Sequence, residues 1–383
     1  MFEADRAEKS ARAQDFARAV LTGDGLHPAI AASLVPGSGV AVGGSFQIGH
    51  PLTTITLSEK VTALAATDGS YGISGRVDVL GHSGRREPHN NARLLAAFQH
   101  LTGLSDFGAG NDTRRDQLSF YQLDRTVAGG MLEVPMTPNL FLIGEGAVVK
   151  LEPGRFTGPA FGVLPGAIPS TTAFEPFAQT ATYTVAGVGA RLQYPAGTTV
   201  TTGYSMELGG RYRHLFDIGH HAGSFSRADL AWTNRYTPST AAGTFTVAAL
   251  ASISVVPEGH RVPMVLQPTL GGSDLNGFQS LRSFANFRFR DVNRLAVTIE
   301  HEREVFGPVA TLVFADVGGV APRASDLAVR DFHHSYGVGL SVRAGGVAVF
   351  RAFYAFGGGE GHRTTFTSGA DAFAAALNAR ALF

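Results

Sequence analysis

Two stretches in the last third of the chain alternate strictly between apolar and polar residues, and this pattern limits the possible folds more than any other feature. In the first stretch, Leu295, Val297 and Ile299 occupy one set of alternating positions, and Glu300 and Glu302 occupy the other. Successive side chains of a β-strand point to opposite faces, so the predicted strand has an apolar face and a charged face. A transmembrane β-barrel requires this arrangement, because its apolar face contacts lipid and its charged face lines a wet lumen.

The second stretch repeats the pattern further along the chain. Val313 and Val317 are predicted to face lipid, whereas Phe314 and Asp316 face the opposite way. A charged inner face is unusual for a soluble sandwich, in which the buried face is the apolar one. Asp316 is therefore predicted to lie on the same inner wall as Glu300.

Short alternating segments separated by turn residues occur along most of the chain, which is the pattern of an up-and-down barrel. Ten or eleven of them precede residue 262, and five more follow residue 286. Those before residue 262 lie near residues 37–49, 54–67, 70–80, 92–103, 115–130, 138–152, 182–195, 201–216, 222–235 and 243–256. We therefore predict an all-β protein in which residues 37–373 form a transmembrane antiparallel β-barrel of about 16 strands.

The composition agrees with a membrane barrel. The chain has 48 glycines and 27 phenylalanines but only 16% charged residues, which suits glycine-rich turns and aromatic girdles better than a solvated surface. A net charge of zero without a basic block argues against nucleic-acid binding. The absence of cysteine excludes disulfides and thiolate sites. No apolar run approaches the roughly 18 residues of a membrane helix, so a membrane-spanning form must be a barrel.

The two ends of the chain differ from the alternating region. Residues 1–36 are predicted to form a short N-terminal helix, within residues 3–21, and a tail, while residues 374–383 form a C-terminal tail. The N-terminal stretch is charged throughout and has no hydrophobic segment of the kind that a secretory signal needs. Export to the outer membrane is therefore expected for a mature form of the chain.

Two groups of residues carry a resemblance to a known family. They are the loop residues Gly271, Gly272, Leu281, Arg282, Ser283 and Phe284 and the strand residues Phe314, Asp316 and Gly318. The first group is similar to a glycine pair followed by V/I-R-G-F/Y, and the second to F-x-D-x-G. Both motifs resemble the C-terminal barrel of the BamA/TamA outer-membrane assembly superfamily, also called the bacterial surface antigen family. Residues 106–113, DFGAGNDT, look like a further turn of this group.

The resemblance implies a role for the loop arginine. In this family the motif lies at the tip of a loop that folds back into the lumen, where the arginine pairs with acidic residues of the wall. For this chain it implies a contact of Arg282 with Asp316 and Glu300, which we term the loop latch. Ser283 stands where the family has glycine, so a backbone conformation open only to glycine would be strained or absent at the tip. The residues before the predicted barrel are too few for a POTRA domain, so the chain resembles a barrel-only form.

The resemblance implies insertion or translocation of outer-membrane or secreted proteins at a weak seam between the first and last strands. Two alternatives remain open: a structural scaffold barrel within a larger outer-membrane complex, and a passive diffusion channel. The expected partners are outer-membrane lipid together with unfolded barrel clients or other subunits of an outer-membrane complex. Nucleic acid is not expected.

An enzymatic role is not expected. The chain has no Gly-x-Ser-x-Gly elbow for a serine nucleophile. Its histidine groups lie beside turn residues and are interpreted as solvated loop side chains rather than metal ligands. These groups are His220 with His221, and Asp331 with His333 and His334. We therefore predict no catalytic residues, no metal and no cofactor.

Overall fold

The fold was taken from a computed structural model. It describes residues 25–31, 34, 40–81, 90–156, 180–195, 203–220, 222–239, 241–275, 278–344 and 347–368. The predicted N-terminal helix and the predicted tail at residues 374–383 lie outside these ranges. Within the described ranges, no helix is both long enough and apolar enough to cross a membrane.

Sixteen strands form one antiparallel sheet in which each strand pairs with the next long strand along the chain. The first eleven are β1 (Gly25–Ala31), β2 (Ala41–Pro51), β3 (Ile55–Ala66), β4 (Tyr71–Gly81), β5 (Asn91–Asp106), β6 (Ser119–Pro135), β7 (Leu140–Arg155), β8 (Ala181–Tyr194), β9 (Gly203–Asp217), β10 (Phe225–Ser239) and β11 (Gly243–Val255). The last five are β16 (Asn293–Phe306), β17 (Val309–Ala321), β18 (His333–Ala344), β19 (Val347–Phe356) and β20 (His362–Ser368). The predicted all-β barrel of about 16 strands is confirmed.

The sheet begins earlier than the sequence analysis predicts. β1 lies within residues 1–36, for which the sequence predicts a helix and a tail, and it pairs with β2 along its whole length. Its sequence, GLHPAIA, hides the alternation because it is short and contains Pro28. Proline is tolerated in an edge strand, which needs hydrogen bonds on one side only.

The two faces of the sheet have the predicted polarity. On β16 and β17, Ile299 and Val313 expose 53% and 49% of their surface on the outside. On the inside, Asp316 is only 2% exposed and Glu302 is also buried. The apolar outer face suits contact with lipid, and the charged inner face requires partners within the lumen.

The segment between β11 and β16, described over residues 256–275 and 278–292, packs against the inner face of the sheet from Val262 onward, and we term it the lumen loop. It contains four two-residue strands that form two small pairs: β12 (Thr269–Leu270) with β15 (Phe289–Arg290), and β13 (Gly272–Ser273) with β14 (Gln279–Ser280). Arg288 of this loop bonds to Thr113, between β5 and β6, and to Glu360, between β19 and β20. Contacts to residues from both halves of the sheet show that the sheet curves around the loop.

The ends of the sheet are its two shortest strands. β1 and β20 have seven residues each. In the described part of the chain, the hydrogen-bonded strand order starts at β1 and stops at β20, and no pairing joins these two strands. Each end strand therefore has an edge whose backbone donors and acceptors are open to another strand.

Candidate functional site: the loop latch

A tight turn brings the motif residues of the lumen loop to the barrel wall. The Phe284 amide donates to the Leu281 carbonyl oxygen at 2.9 Å, which closes the turn around Arg282 and Ser283. Leu281 has a φ of 45° and so lies in the left-handed region, which is uncommon for a residue with a side chain. The turn points the Arg282 side chain at β16 and β17.

The Arg282 guanidinium makes a two-pronged contact with Asp316 of β17. Nε donates to Oδ2 at 3.0 Å and Nη2 donates to Oδ1 at 2.9 Å. The Arg282 backbone amide also donates to Oδ2 at 3.0 Å, and the Thr298 hydroxyl donates to Oδ1 at 3.1 Å. Asp316 thus accepts four hydrogen bonds. These bonds replace the water that the carboxylate loses when it is buried.

Glu300 of β16 completes the charge balance. Arg282 Nη1 donates to Glu300 Oε2 at 2.8 Å, and Arg351 of β19 lies 3.3 Å from the other oxygen, Oε1. The side chain of Arg282 is 4% exposed. Burial opposes the charge of Arg282, but Asp316 and Glu300 outweigh this effect and hold its pKa above the usual value. The guanidinium is therefore charged at every physiological pH.

Two aromatic rings contact the same guanidinium. Arg282 Cζ lies 3.4 Å from the centroid of the Phe314 ring and 5.7 Å from that of Phe353 on β19. Gly337 pairs with Phe314 across the sheet, and Gly339 pairs with Phe353. A Cβ at Gly337 would overlap the Phe314 ring, and one at Gly339 would overlap the Ala352 carbonyl oxygen and the Phe353 Cβ, so both glycines let the strands approach closely around the two aromatic residues. The rings exclude water from one side of the ion pair and add a cation–π interaction.

Ser283 does not carry the backbone strain that its sequence suggests. Among the described non-glycine residues, only His220, Leu281 and Phe287 have a positive φ. The amide of Ser283 donates to the Ser335 hydroxyl at 3.0 Å. Of the two outcomes expected at Ser283, strain or absence of the glycine conformation, the structure shows the second, because the left-handed residue of this turn is Leu281.

The glycine pair of the loop has a steric explanation. Gly271 has a φ of 101° and Gly272 a φ of 58°, where other residues are strained. A Cβ at Gly271 would overlap Arg288, and one at Gly272 would overlap Asn286. Gly318 of the strand motif lies against Ala296 of β16 in the same way. All three glycines let the loop and the wall pack closely.

Phe284 anchors the turn in an apolar cluster. It is buried with residues of the loop and of the neighbouring wall, which are Leu270, Leu281, Phe289, Ala296 and Val320. Its ring meets Phe289 edge-on at 5.0 Å. His333 stacks on Phe289 at 4.0 Å between ring centroids and contacts the Asn111 carbonyl oxygen through Nε2. The interpretation of His333 as a solvated loop histidine is therefore wrong.

Comparisons with known proteins agree with this architecture. No family model and no curated protein matches the chain. Its fold is similar to BamA from Haemophilus ducreyi lacking POTRA domains 1–3, with a TM-score of 0.57 at 13% identity. That match covers 90% of this chain and 70% of the other.

Two CdiB structures have a similar fold. CdiB from Acinetobacter baumannii matches with a TM-score of 0.50 at 13% identity, over 89% of this chain and 58% of that one. CdiB from Escherichia coli matches with a TM-score of 0.51 at 12% identity, over 86% and 57%. The chain thus spans less than two thirds of either CdiB chain. Likenesses at such low identity show the fold, which is that of the BamA and CdiB barrels.

Several residues around the latch were not identified from the motifs. Ser335 and Phe353 lie on later strands, and only their position in the alternation marks them as inward-facing. On β18 the inward positions 335, 337, 339 and 341 hold serine or glycine, whereas Tyr336, Val338 and Leu340 face outward and are exposed. This alternation of small and large residues is visible in the sequence and predicts which face of β18 borders the loop.

The turn at residues 106–113 also supports the loop. Asn111 Oδ1 accepts from the Val320 amide at 2.9 Å, and the Gly110 amide donates to the Arg290 carbonyl oxygen at 2.8 Å. Thr113 accepts from Arg288 through its hydroxyl and its carbonyl oxygen. This turn therefore connects the lumen loop to β17.

The site has no grouping suited to a metal ion. Among the side chains that the structure describes, no three His, Asp or Glu residues come together as potential ligands. Asp316 and Glu300 are occupied by arginine, and His333 packs against a phenylalanine ring. The chemistry of the site is ion pairing and packing.

Proposed function

We propose that this chain is a bacterial outer-membrane barrel that assists the insertion or translocation of outer-membrane or secreted proteins, without chemical catalysis. Support comes from the fold, from the motifs that resemble the BamA/TamA superfamily, and from the lumen loop held by Arg282. The docked loop is the observation that carries the proposal, because it defines a resting state that a client must alter or bypass.

The end strands supply a place for a client. β1 and β20 are short, and their outer edges have no strand partner among the described residues. The backbone N–H groups of an open edge can donate hydrogen bonds to any extended segment, and its carbonyl oxygens can accept them, whatever the sequence of that segment. A strand of an unfolded barrel protein is therefore a suitable partner, and outer-membrane lipid surrounds the complex.

The test is folding of an unfolded barrel client in vesicles that contain the purified protein. The folded fraction of the client is measured by its altered mobility on an unheated gel. We expect faster client folding than in empty vesicles or in vesicles that contain an unrelated porin. No acceleration, together with stable co-purifying subunits from native membranes, would instead support a scaffold barrel.

A disulfide tests whether the loop takes part. The chain has no cysteine, so the pair Ser283→Cys and Ser335→Cys introduces the only two thiols. The Ser283 amide nitrogen lies 3.0 Å from Ser335 Oγ, which places the two residues side by side. We expect the oxidised pair to slow client folding and a reductant to restore it, whereas each single cysteine variant behaves as the parent. Equal activity of the locked and reduced forms would show that loop movement is not required.

A passive channel is the less favoured alternative. The lumen loop packs against the wall through buried clusters and ion pairs, which narrows the route for diffusing solutes. Conductance of the parent protein in planar bilayers measures this directly. High and steady conductance with the latch intact would support the channel.

A further inference from the structure

A cavity of about 210 Å³ lies between the lumen loop and the inner faces of β6, β7, β9, β10, β11 and β16. Its lining is unusually basic. Five arginines line it: Arg125, Arg213, Arg227, Arg290 and Arg294. Two carboxylates, those of Asp229 and Asp274, also line it.

Three of these arginines have partners. Arg213 pairs with Asp229 at 3.0 Å, and Arg294 pairs with Asp274 at 2.9 Å. Arg290 donates to a loop carbonyl oxygen and to a tyrosine hydroxyl. Both lining carboxylates are therefore already engaged.

The other two arginines are not satisfied by the described residues. Arg125, on β6, is 8% exposed and has no hydrogen-bond or ion-pair partner among them. Arg227, on β10, donates through Nε to the Ser254 hydroxyl at 3.1 Å, but its Nη2 is buried and finds no acceptor in the described part of the chain. A buried guanidinium nitrogen without an acceptor destabilises a fold, so the described lining leaves Arg227 Nη2 without the negative partner that it needs.

We infer that this cavity binds a small oxyanion of the phosphate class through Arg125 and Arg227. Guanidinium groups bind such oxyanions through paired, charge-assisted hydrogen bonds, and the unsatisfied nitrogen of Arg227 supplies a donor of this kind. The inference does not depend on the proposed role in protein insertion.

The size of the cavity limits the ligand. Pockets for drug-sized molecules and cofactors are about 300–1,000 Å³, whereas a water molecule takes up about 30 Å³. A cavity of 210 Å³ therefore holds a phosphate-sized group with a few waters rather than a nucleotide. The apolar part of the lining, which includes Leu123, Val149 and Leu151, strengthens any ion pair formed there by excluding water.

A bound anion would join the lumen loop to the wall. Arg125 and Arg227 belong to the wall, whereas Arg290 belongs to the loop and lines the same cavity. An anion between them would stabilise the docked loop at a place separate from the contact of Arg282 with Asp316. Anion concentration would therefore affect loop position and barrel stability together.

The experiment measures thermal unfolding of the purified full-length protein in detergent, first in phosphate-free buffer. Sodium phosphate is then titrated against sodium chloride at matched ionic strength. We expect phosphate, but not chloride, to raise the unfolding temperature by several degrees in a saturable manner. Calorimetric titration with inorganic phosphate gives the affinity, which should weaken at least ten-fold in Arg125→Gln and in Arg227→Gln.

Two further variants separate a binding site from a structural arginine. Arg93→Gln removes an arginine that pairs with Asp78 at 2.6 Å and does not line the cavity, so it should keep the phosphate response. Arg125→Met fills the same space without charge, so in phosphate-free buffer it should unfold at a higher temperature than the parent. In phosphate the parent gains stability and this difference in unfolding temperature should disappear. An unchanged phosphate response in Arg125→Gln, or an equal response of the parent to chloride, would overturn the inference.

A competition arm identifies the source of the phosphate group. Dihexanoylphosphatidic acid, below its micelle concentration, is added to the protein with bound inorganic phosphate. Displacement assigns the site to a lipid headgroup, and persistence of the bound phosphate assigns it to the free anion. Failure of both compounds to bind rejects the site.

Discussion

Arg282 of the lumen loop donates three hydrogen bonds to Asp316 of β17, one from its backbone amide and two from its guanidinium. The backbone bond matters because it fixes the position of the loop as well as that of the side chain. Both groups are buried, so removing one leaves the other as an uncompensated charge. The pair therefore ties the docking of the loop to the charge balance of the wall.

Arg282→Ala should lower the heat resistance of the barrel. Breaking a buried ion pair by removal of one partner costs about 3–5 kcal/mol, and here two carboxylates lose the same partner. The temperature at which the folded form disappears on a semi-native gel measures the effect. We also expect higher conductance in planar bilayers, because the loop loses its main contact with β17.

Two controls define the role of Arg282. Arg282→Lys keeps the charge but lacks the planar fork, so it should rescue only part of the stability. Arg191→Ala removes an arginine that pairs with Glu133 on the wall away from the loop, and it should leave conductance unchanged. If Arg282→Ala changed neither heat resistance nor conductance, the loop latch would neither stabilise the barrel nor restrict its conductance.

Gly358→Ala should loosen the loop where Phe284 packs. Gly358 has a φ of 68°, and a Cβ there would overlap the Phe284 ring. Gly359→Ala is a matched control, because Gly359 has a φ of 77° but nothing within 4 Å of an added Cβ. Each variant carries a backbone strain of about 1 kcal/mol, so any additional loss of stability in Gly358→Ala reports the clash with Phe284. Equal unfolding temperatures for the two variants would mean that Phe284 does not hold the loop.

The barrel was largely predictable from the sequence because alternation is a local property. Each strand from β2 onward has its own apolar and polar faces, and turn residues separate the strands. β1 was missed because its seven residues include a proline and show no alternation. The number of strands could be predicted by counting the alternating segments. Whether the first and last strands pair with each other depends on contacts that no local pattern encodes.

The site was predictable only in part. Arg282, Asp316 and Glu300 followed from the motifs and from the inner face of two strands. Ser335 contacts Ser283, and Phe353 contacts Arg282, only after β18 and β19 have been added to the sheet, so their roles arise from tertiary structure. The sequence left open whether the glycine conformation at Ser283 is strained or absent, and it is absent because the turn places Leu281 rather than Ser283 in the left-handed region.

Ser283→Gly should therefore destabilise the loop rather than relax it. The backbone of Ser283 does not need glycine, and glycine loses more conformational freedom on folding, at a cost of about 0.5–1 kcal/mol. The Ser283 hydroxyl also donates to the Gly357 carbonyl oxygen at 3.4 Å, a long contact that adds little. Thermal unfolding of the variant beside Ser283→Ala separates the two effects. A higher unfolding temperature for Ser283→Gly would show that the family glycine is preferred here as well.

Asn111→Ala should uncouple the 106–113 turn from β17. β17 pairs with β18 only as far as Gly318, so the buried Val320 amide donates to Asn111 Oδ1 instead of to a strand. Alanine leaves this amide without an acceptor, which costs about 1–3 kcal/mol. Hydrogen exchange of a peptide that covers residues 318–323 should become faster. Asn111→Asp keeps the acceptor oxygen and should retain most of the protection. Equal exchange in the parent and in Asn111→Ala would mean that water replaces the side chain, and that the turn does not stabilise β17.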